Sequence, residues 1–145
     1  MSVEQVAREV VSNMTDEAKV KPLLAPNAMS SGGVLPQPIP MSESIKMIGA
    51  LKTAFPDLKF DIEQVTVNGN QATVKAKWSG TNTGPVAFPI PGMPSIPATG
   101  KKVSVKDAYV VTVEGDKVTH MRVESPADGG MPAALAQLGV QMPGM

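Results

Sequence analysis

The stretch LKFDIEQVTVNGNQATVKAKWSGTN, residues 58–82, decides the fold class of this 145-residue chain. Apolar and polar residues alternate on both sides of the NGN at 68–70, which is the pattern of two half-buried strands joined by a tight turn. Asn and Gly tolerate the positive φ angles that such turns require. We therefore predict an antiparallel hairpin whose second strand places Val74, Ala76 and Trp78 on one side.

Two further strands follow, in residues 101–113 and 117–125, on either side of the turn EGD. In the first of them Asp107 and Tyr109 share a face with valines, and the opposite face is more polar. A carboxylate and a phenol on an apolar face are costly unless they are satisfied, so this pair is the first candidate for a site.

Helical patterns precede the strands. Residues 3–14 repeat apolar side chains at three- and four-residue steps, which predicts a helix. Residues 16–26 favour a second, short helical piece, 27–40 a loop, and 42–55 a third helix with Ser42 as its N-cap. Another short helix is predicted near the end, in MPAALAQLG. Helices followed by four antiparallel strands predict an α+β fold in one domain, residues 1–145.

Composition narrows the function. The formal net charge is zero, from 13 basic and 13 acidic residues, so we expect no nucleic-acid partner. No apolar run approaches the length that spans a membrane. There is no cysteine and one histidine, so we expect no zinc site or other metal site, and a reducing cytoplasm is the default location. A serine-hydrolase nucleophile elbow is also missing.

Residues 85–98 form an apolar segment that contains five prolines. We interpret it as a semi-rigid rim or lid at the mouth of a pocket, with Phe88 available to contact a ligand. A loop that merely covers a sheet edge is equally compatible with the pattern. Recognition as a proline-rich peptide is disfavoured, because its apolar residues would be costly to expose.

Several phrases occur in the order found in a known family: AFPDLKF, GTNTG, IPATGK and the late QLG. With them, residues 3 to 140 resemble the SnoaL-like polyketide cyclases, also called ester-cyclase-like proteins, of the nuclear transport factor 2-like superfamily. The resemblance implies a cone-shaped α+β barrel, with three N-terminal helices packed against a strongly curved, mostly antiparallel sheet. It also implies a pocket between helices and sheet, and a homodimer formed through the outer face of the sheet.

In such cyclases a carboxylate on the last strand removes a proton from carbon, and a nearby donor stabilises the enolate oxygen; no cofactor is needed. Overlaying the family's phrase on HMRVES places Ser125 where that aspartate should be, with His120 and Met121 before it. A histidine usual in the first loop is also missing, and Ser30 and Ser31 stand nearby. This chain therefore departs from the family at its catalytic position.

We predict that Asp107 replaces the missing base and that Tyr109 donates to the enolate oxygen. Side chains expected to contact the ligand are Trp78, Asn82, Phe88, Met121 and Ser125. Glu124 and Asp128 flank the family position and are alternative bases, whereas the strand parity of His120 places it on the outer face.

Three hypotheses for function follow. The first is a cyclase or isomerase that binds a small apolar carbonyl compound and catalyses proton transfer, by aldol cyclisation or isomerisation. The second is a non-catalytic small-molecule-binding protein on the same fold, with Ser125 in place of the catalytic carboxylate. The third is an interaction module that uses the sheet face or residues 85–98. Fold alone does not choose among them.

Overall fold

The computed structural model of the protein describes residues 2–32, 37–85, 97–126 and 129–139. Within these ranges the α-helices are α1 (Val3–Ser12), α2 (Glu17–Val20), α3 (Met41–Ala54) and α4 (Gly130–Gln137). A short 3-10 helix, Lys21–Leu23, follows α2. The strands are β1 (Leu24–Gly32), β2 (Ile39–Pro40), β3 (Lys59–Asn68), β4 (Gln71–Thr81), β5 (Lys102–Glu114) and β6 (Lys117–Val123).

The strands form one sheet in the order β2-β1-β6-β5-β4-β3. Neighbouring strands are antiparallel except β1 and β6, which are parallel. β2 and β3 are its two edges, so the curved sheet stays open and does not close into a barrel. The predicted α+β class, with helices packed on a curved, mostly antiparallel sheet, is confirmed.

β1 and β2 are strands where the sequence predicted a loop over residues 27–40, so that prediction was wrong. The inward residues of β1, Ala28 and Ser30, are buried but are small or polar, and they hide the apolar alternation that marks a strand. Pairing with β6 satisfies the backbone of this segment. Pro26 lies in an irregular part of that register, where a missing N–H is tolerated.

The N-terminal helices cover the inner face of the sheet. Ser2 and Gln5 form a capping box at the start of α1, which then buries its valine stripe against β3 and β4. α3 begins at Met41, one residue before the predicted start. The expected N-cap, Ser42, is therefore inside the helix, and Pro40 occupies the cap position without a side-chain hydrogen bond.

The two hairpins have the turns that their sequences favour. Gly69, with φ +64°, allows the tight connection from β3 to β4. Gly115 and Asp116, with φ +53° and +65°, connect β5 to β6. Two consecutive residues with positive φ match the right-handed twist of the flanking strands.

Two apolar clusters fill the space between helices and sheet. The first lies beneath α1 and includes Val10, Val74 and Val111. The second lies beneath α3 and α4 and includes Phe55 and Trp78. Asp107 lies between the two clusters on the inward side of β5. Its neighbour Val105 belongs to the second cluster, and its neighbour Tyr109 belongs to the first. A carboxylate thus occupies the boundary between two apolar regions.

α4 compensates for the short length of β6. The pairing of β6 with β5 ends where Val123 meets Tyr109, so earlier residues of β5 have no strand on that side. The Gln137 side chain fills one such position, because its Nε2 donates to Ser104 O (3.0 Å) and its Oε1 accepts from Ser104 N (2.9 Å). Leu138 then packs in the second apolar cluster.

Throughout the described ranges, no helix has the length and apolar character needed to cross a lipid bilayer.

Candidate active site

Asp107 and Tyr109 are buried side by side on the inward face of β5. Both follow the alternation that the sequence predicted, with exposed fractions of 8% and 4%. Their register partners on β4 are Ala76 and Val74, so the neighbouring strand offers no charge to Asp107. The site is therefore an acidic group and a phenol in an apolar wall.

The two oxygens of the Asp107 carboxylate have unequal surroundings. Oδ1 accepts hydrogen bonds from Ser125 Oγ (2.8 Å) and from the Ala108 backbone N–H (3.0 Å). Oδ2 accepts from the Tyr109 hydroxyl at 3.5 Å, which is the outer limit of a hydrogen bond. One oxygen is thus anchored, and the other keeps lone pairs for a further partner.

Burial controls the titration of both groups. Desolvation raises the pKa of Asp107 above its ordinary value, although hydrogen bonds from Ser125, Ala108 and others lower it in part. The pKa of Tyr109 is raised well above its ordinary value, first by burial and then by the neighbouring Asp107 charge. Tyr109 therefore stays a neutral hydrogen-bond donor at physiological pH, while Asp107 is a stronger base than an exposed aspartate.

Trp78 borders the carboxylate from β4. It is 3% exposed and packs edge-to-face against Phe55, with ring centroids 6.2 Å apart. A hydrogen-bonding interaction with its indole N–H is one of the influences that lower the pKa of Asp107. Trp78 thus forms part of the apolar wall on the side of the second cluster.

Ser125 reaches Asp107 because the chain turns after β6. The last backbone contact with β5 is Glu124 N–H to Ala108 O (2.8 Å). Ser125 then points to the carboxylate, whereas Glu124 is exposed and pairs with Arg122. The residue at the family's aspartate position is therefore hydrogen-bonded to the carboxylate predicted to replace it, a contact that strand parity in one strand could not predict.

Asn82, predicted as a ligand contact, has a different set of partners. It is fully buried, and its Nδ2 donates to Gly84 O (2.7 Å) and Ala54 O (3.4 Å). Its Oδ1 accepts from Thr99 N (2.9 Å) and Thr99 Oγ1 (2.8 Å). The amide thus connects both ends of the proline-rich segment to the end of α3, and a ligand role for Asn82 stays a prediction.

The remaining predicted residues are distributed as follows. Met121 is 2% exposed and lies on the inner face, in the first apolar cluster. Phe88, Asp128 and most of residues 85–98 lie outside the described residues. His120 lies on the opposite face from Met121, and its Nε2 is 2.7 Å from Ser31 Oγ. Among the described residues, no three potential ligands from His, Cys, Asp and Glu come together to hold a metal ion.

The outer face of β4 and β5 carries a groove of about 550 Å³. Lysines and glutamates from neighbouring segments are among its lining residues, together with the small Ala108. Its lining residues are Glu63, Gln64, Thr73, Lys75, Ala76, Lys106, Asp107, Ala108, Glu124 and Pro126. Most of these side chains belong to the outward set, and the inward-pointing residues Ala76 and Asp107 also line the groove.

Solved structures with the same fold include two described as polyketide cyclases and one described as a hydroxylase. IdmH of Streptomyces antibioticus, described as a polyketide cyclase, superposes with a TM-score of 0.75 at 17% identity, over 97% of this chain and all of that one. AclR of Streptomyces galilaeus, described as a hydroxylase, superposes with a TM-score of 0.74 at 16% identity, over 94% of this chain and 80% of that one. A protein described as a SnoaL-like polyketide cyclase from Jannaschia sp. CCS1 superposes with a TM-score of 0.70 at 22% identity, over 85% of this chain and 84% of that one.

Comparison with curated proteins finds no match. The sequence model of one family, the SnoaL-like polyketide cyclases, matches residues 2–124, which is most of the chain. That span includes Asp107 and Tyr109 and ends one residue before Ser125. The chain belongs to the SnoaL-like polyketide cyclase family.

Proposed function

We propose that this protein catalyses proton transfer on a small apolar carbonyl compound, with Asp107 as the general base and Tyr109 as the hydrogen-bond donor to the substrate oxygen. The observation that carries the proposal is the unequal carboxylate of Asp107. Anchoring of Oδ1 fixes its orientation, while Oδ2 remains able to accept a proton. Because the pKa of Asp107 is raised, it is closer to the pKa of an activated C–H bond.

In the first step Asp107 Oδ2 takes a proton from the carbon next to the substrate carbonyl. The electron pair of the broken C–H bond forms an enolate, whose oxygen accepts a hydrogen bond from the neutral Tyr109 hydroxyl. Because Tyr109 holds Asp107 only weakly, at 3.5 Å, its hydroxyl can turn to the substrate at little cost.

The second step defines the reaction class. In an isomerisation, protonated Asp107 returns the proton to another carbon of the conjugated system. In an aldol cyclisation, the enolate carbon bonds to a second carbonyl carbon of the same molecule, and the proton passes from Asp107 to the new alkoxide oxygen. Family membership favours cyclisation, and the same two side chains serve both outcomes.

Proton exchange on a simple ketone tests the first step without knowledge of the natural substrate. We expect the protein to accelerate deuterium uptake by 2-tetralone in heavy water, followed by proton NMR. Asp107→Asn should slow this exchange by about 10²–10⁴, the usual effect of losing a general base. Tyr109→Phe should slow it by about 10², the effect of losing one enolate donor. Glu124→Gln, which changes an exposed carboxylate one residue from Ser125, is the matched control and should exchange at the parent rate.

The second candidate function is ligand binding without turnover. It is favoured by Ser125, because the position of the family's catalytic carboxylate holds a residue that cannot act as a base unaided. If 2-tetralone binds but exchanges no faster than in buffer, or if Asp107→Asn exchanges as fast as the parent, this second function is the correct one.

A homodimer formed through the outer face of the sheet is part of the proposal. Support comes from the groove, whose lining includes the cations Lys75 and Lys106 and the anions Glu63 and Glu124. Two copies related by a twofold axis could pair these opposite charges. Sedimentation at micromolar concentration should show a dimer in the parent and a monomer in Ala108→Arg; a monomeric parent would contradict this part.

A cytoplasmic location is also proposed, on the basis of a chain without cysteine. Cell fractionation with a tagged full-length protein tests it.

A further inference from the structure

Trp78 and Asp107 lie on the same inner face of two neighbouring strands. In the pairing of β4 with β5, Trp78 is level with Val105, and Ala76 is level with Asp107. Trp78 is therefore a diagonal neighbour of Asp107, two residues away from its direct partner. Diagonal neighbours on one face of a sheet are within reach of an aromatic side chain. This placement accounts for the hydrogen-bonding interaction of the indole N–H that helps to lower the pKa of Asp107.

The indole ring of Trp78 is fixed by packing. It is buried, and the Phe55 ring packs edge-to-face against it. Leu58, Val103 and Val105 belong to the same apolar cluster. A side chain enclosed in this way is confined to a narrow range of orientations. Its N–H needs an acceptor in this apolar place, and a carboxylate is the strongest acceptor that a protein side chain offers.

Two neutral donors, one from each apolar cluster, thus border the Asp107 carboxylate. Tyr109, in the first cluster, makes a hydrogen bond of 3.5 Å that is weak and easily broken. Trp78, in the second cluster, has an N–H that only donates and does not titrate. The two donors therefore differ in what they can do during a reaction, because one can leave the carboxylate and the other is held beside it.

We propose that Trp78 is a positioning residue for Asp107: its indole N–H donates a hydrogen bond to the carboxylate and holds it in place when the Tyr109 hydroxyl turns to the substrate. A carboxylate has about four lone-pair sites. Ser125, Ala108 and Trp78 occupy three of them, and the site that Tyr109 leaves is free to take the proton from carbon. The inference rests on the proposed function for the role of Asp107 as the base, and it adds a residue that keeps this base ionised and oriented.

The titration of Asp107 can report this hydrogen bond because its surroundings in the described part of the chain are otherwise apolar. Tyr109 is the other titratable side chain beside it on the inner face, and it stays neutral. The charged side chains of α1, α3 and β3 are exposed, and α4 carries none. Charged or titratable side chains on β4, β5 and β6 and just after them point to the outer face: Lys75, Lys77, Lys106, His120, Arg122 and Glu124.

Carboxyl-carbon NMR of protein labelled at aspartate measures the proton affinity of Asp107, whose signal is identified by its absence in Asp107→Asn. Trp78→Phe removes the N–H and should bind the Asp107 proton about tenfold more tightly than the parent, because a hydrogen bond to the charged form is lost. Benzothienylalanine in place of Trp78 keeps the shape of the ring but has sulfur instead of N–H. It should give the same tenfold change, and it decides the outcome if Trp78→Phe does not fold.

Val103→Ala is the matched control, because it also removes apolar volume from the second cluster but leaves the indole and Phe55 in place. Asp107 should titrate in this variant as it does in the parent. An unchanged proton affinity in the benzothienylalanine protein, or the same tenfold change in Val103→Ala, would overturn the proposal.

Fluorescence gives a second readout, since Trp78 is the only tryptophan of the chain. Its emission should change in one step as Asp107 titrates in the parent and in Glu124→Gln, which alters an exposed carboxylate on the outer face. The step should be absent in Asp107→Asn; a step that survives there would also contradict the proposal. Neither measurement needs a substrate, so this inference can hold while 2-tetralone exchange fails, and the reverse; the two proposals therefore fail independently.

Discussion

Asn82 and Asp107 are both buried polar side chains near the same apolar cluster, yet they differ in how much of their hydrogen-bonding capacity is used within the protein. The amide of Asn82 uses both its oxygen and its nitrogen on fixed backbone and hydroxyl groups, at 2.7 to 3.4 Å. Asp107 has one oxygen with two short hydrogen bonds and one whose hydrogen bond, from Tyr109, is long. The first arrangement holds chain segments together, and the second leaves capacity for a partner outside the protein.

The difference shows how burial should be read. A buried polar group whose partners are all internal contributes to stability, because its removal leaves those partners unsatisfied. A buried group with unused capacity has a cost of desolvation that the fold alone does not offset.

The largest effect on stability is expected at Asn82. Asn82→Ala should lower the free energy of unfolding by about 3 kcal/mol, because Gly84 O and Thr99 N lose their partner in a buried place. Urea denaturation measures this loss. Exchange of 2-tetralone per folded molecule should stay close to the parent value.

Asn13→Ala is the control for Asn82→Ala. It also removes an amide that donates to a backbone carbonyl, Glu9 O, but at an exposed helix end, and should cost about 0.5 kcal/mol. If Asn82→Ala abolished exchange while stability was unchanged, Asn82 would be a ligand residue, as the sequence predicted, and the contrast with Asp107 would fail.

A smaller effect is expected when the anchored oxygen of Asp107 loses its side-chain partner. The hydrogen bond from Ser125 lowers the pKa of Asp107, so Ser125→Ala should raise that pKa further. Exchange should then require higher pH, and at pH values below the new midpoint it should be slower by about tenfold, since a hydrogen bond to a charged group contributes about 1.5 kcal/mol. The pH–rate profile of 2-tetralone exchange measures the shift.

Ser125→Thr keeps the hydroxyl and should restore the parent profile. A Ser125→Ala profile with the parent midpoint but a lower plateau would instead show that Ser125 acts on the substrate and not through Asp107.

The inner face of the central strands was predictable from the sequence. Strand β1 and the contacts made beyond the ends of the strands were not. Alternation over β4 and β5 placed Trp78, Asp107 and Tyr109 correctly on the inner face. Side chains of a strand alternate between two faces, and the opposite assignment would bury lysines. β1 was missed because its buried residues, Ala28 and Ser30, are small or polar.

Contacts made across turns were also beyond the sequence. Ser125 reaches Asp107 only because β6 ends at Val123 and the chain then changes direction. Asn82 shares the parity of Trp78, which suggested a pocket residue, but the strand ends one residue earlier and its amide turns to the loop ends. Parity predicts a side chain's face only within a strand.

The smallest effect, on stability as a function of pH, tests whether the Asp107 carboxylate is destabilised by burial. Its pKa in the folded protein is raised, so the folded state holds its proton more tightly than the unfolded state. Between about pH 4, where an exposed aspartate titrates, and the raised pKa, the folded state binds more protons, and stability must fall as pH rises. Asp107→Asn cannot ionise, so relative to this variant the parent should lose stability across that window and then remain at a constant difference.

The difference should be smaller than the loss in Asn82→Ala, because hydrogen bonds from Ser125 and Ala108 offset part of the desolvation. Urea denaturation of both proteins at several pH values, with Asp61→Asn as the control for an exposed carboxylate on β3, measures it. If parent and Asp107→Asn kept the same difference at every pH, Asp107 would be as fully satisfied as Asn82, and its unused oxygen would not indicate a function.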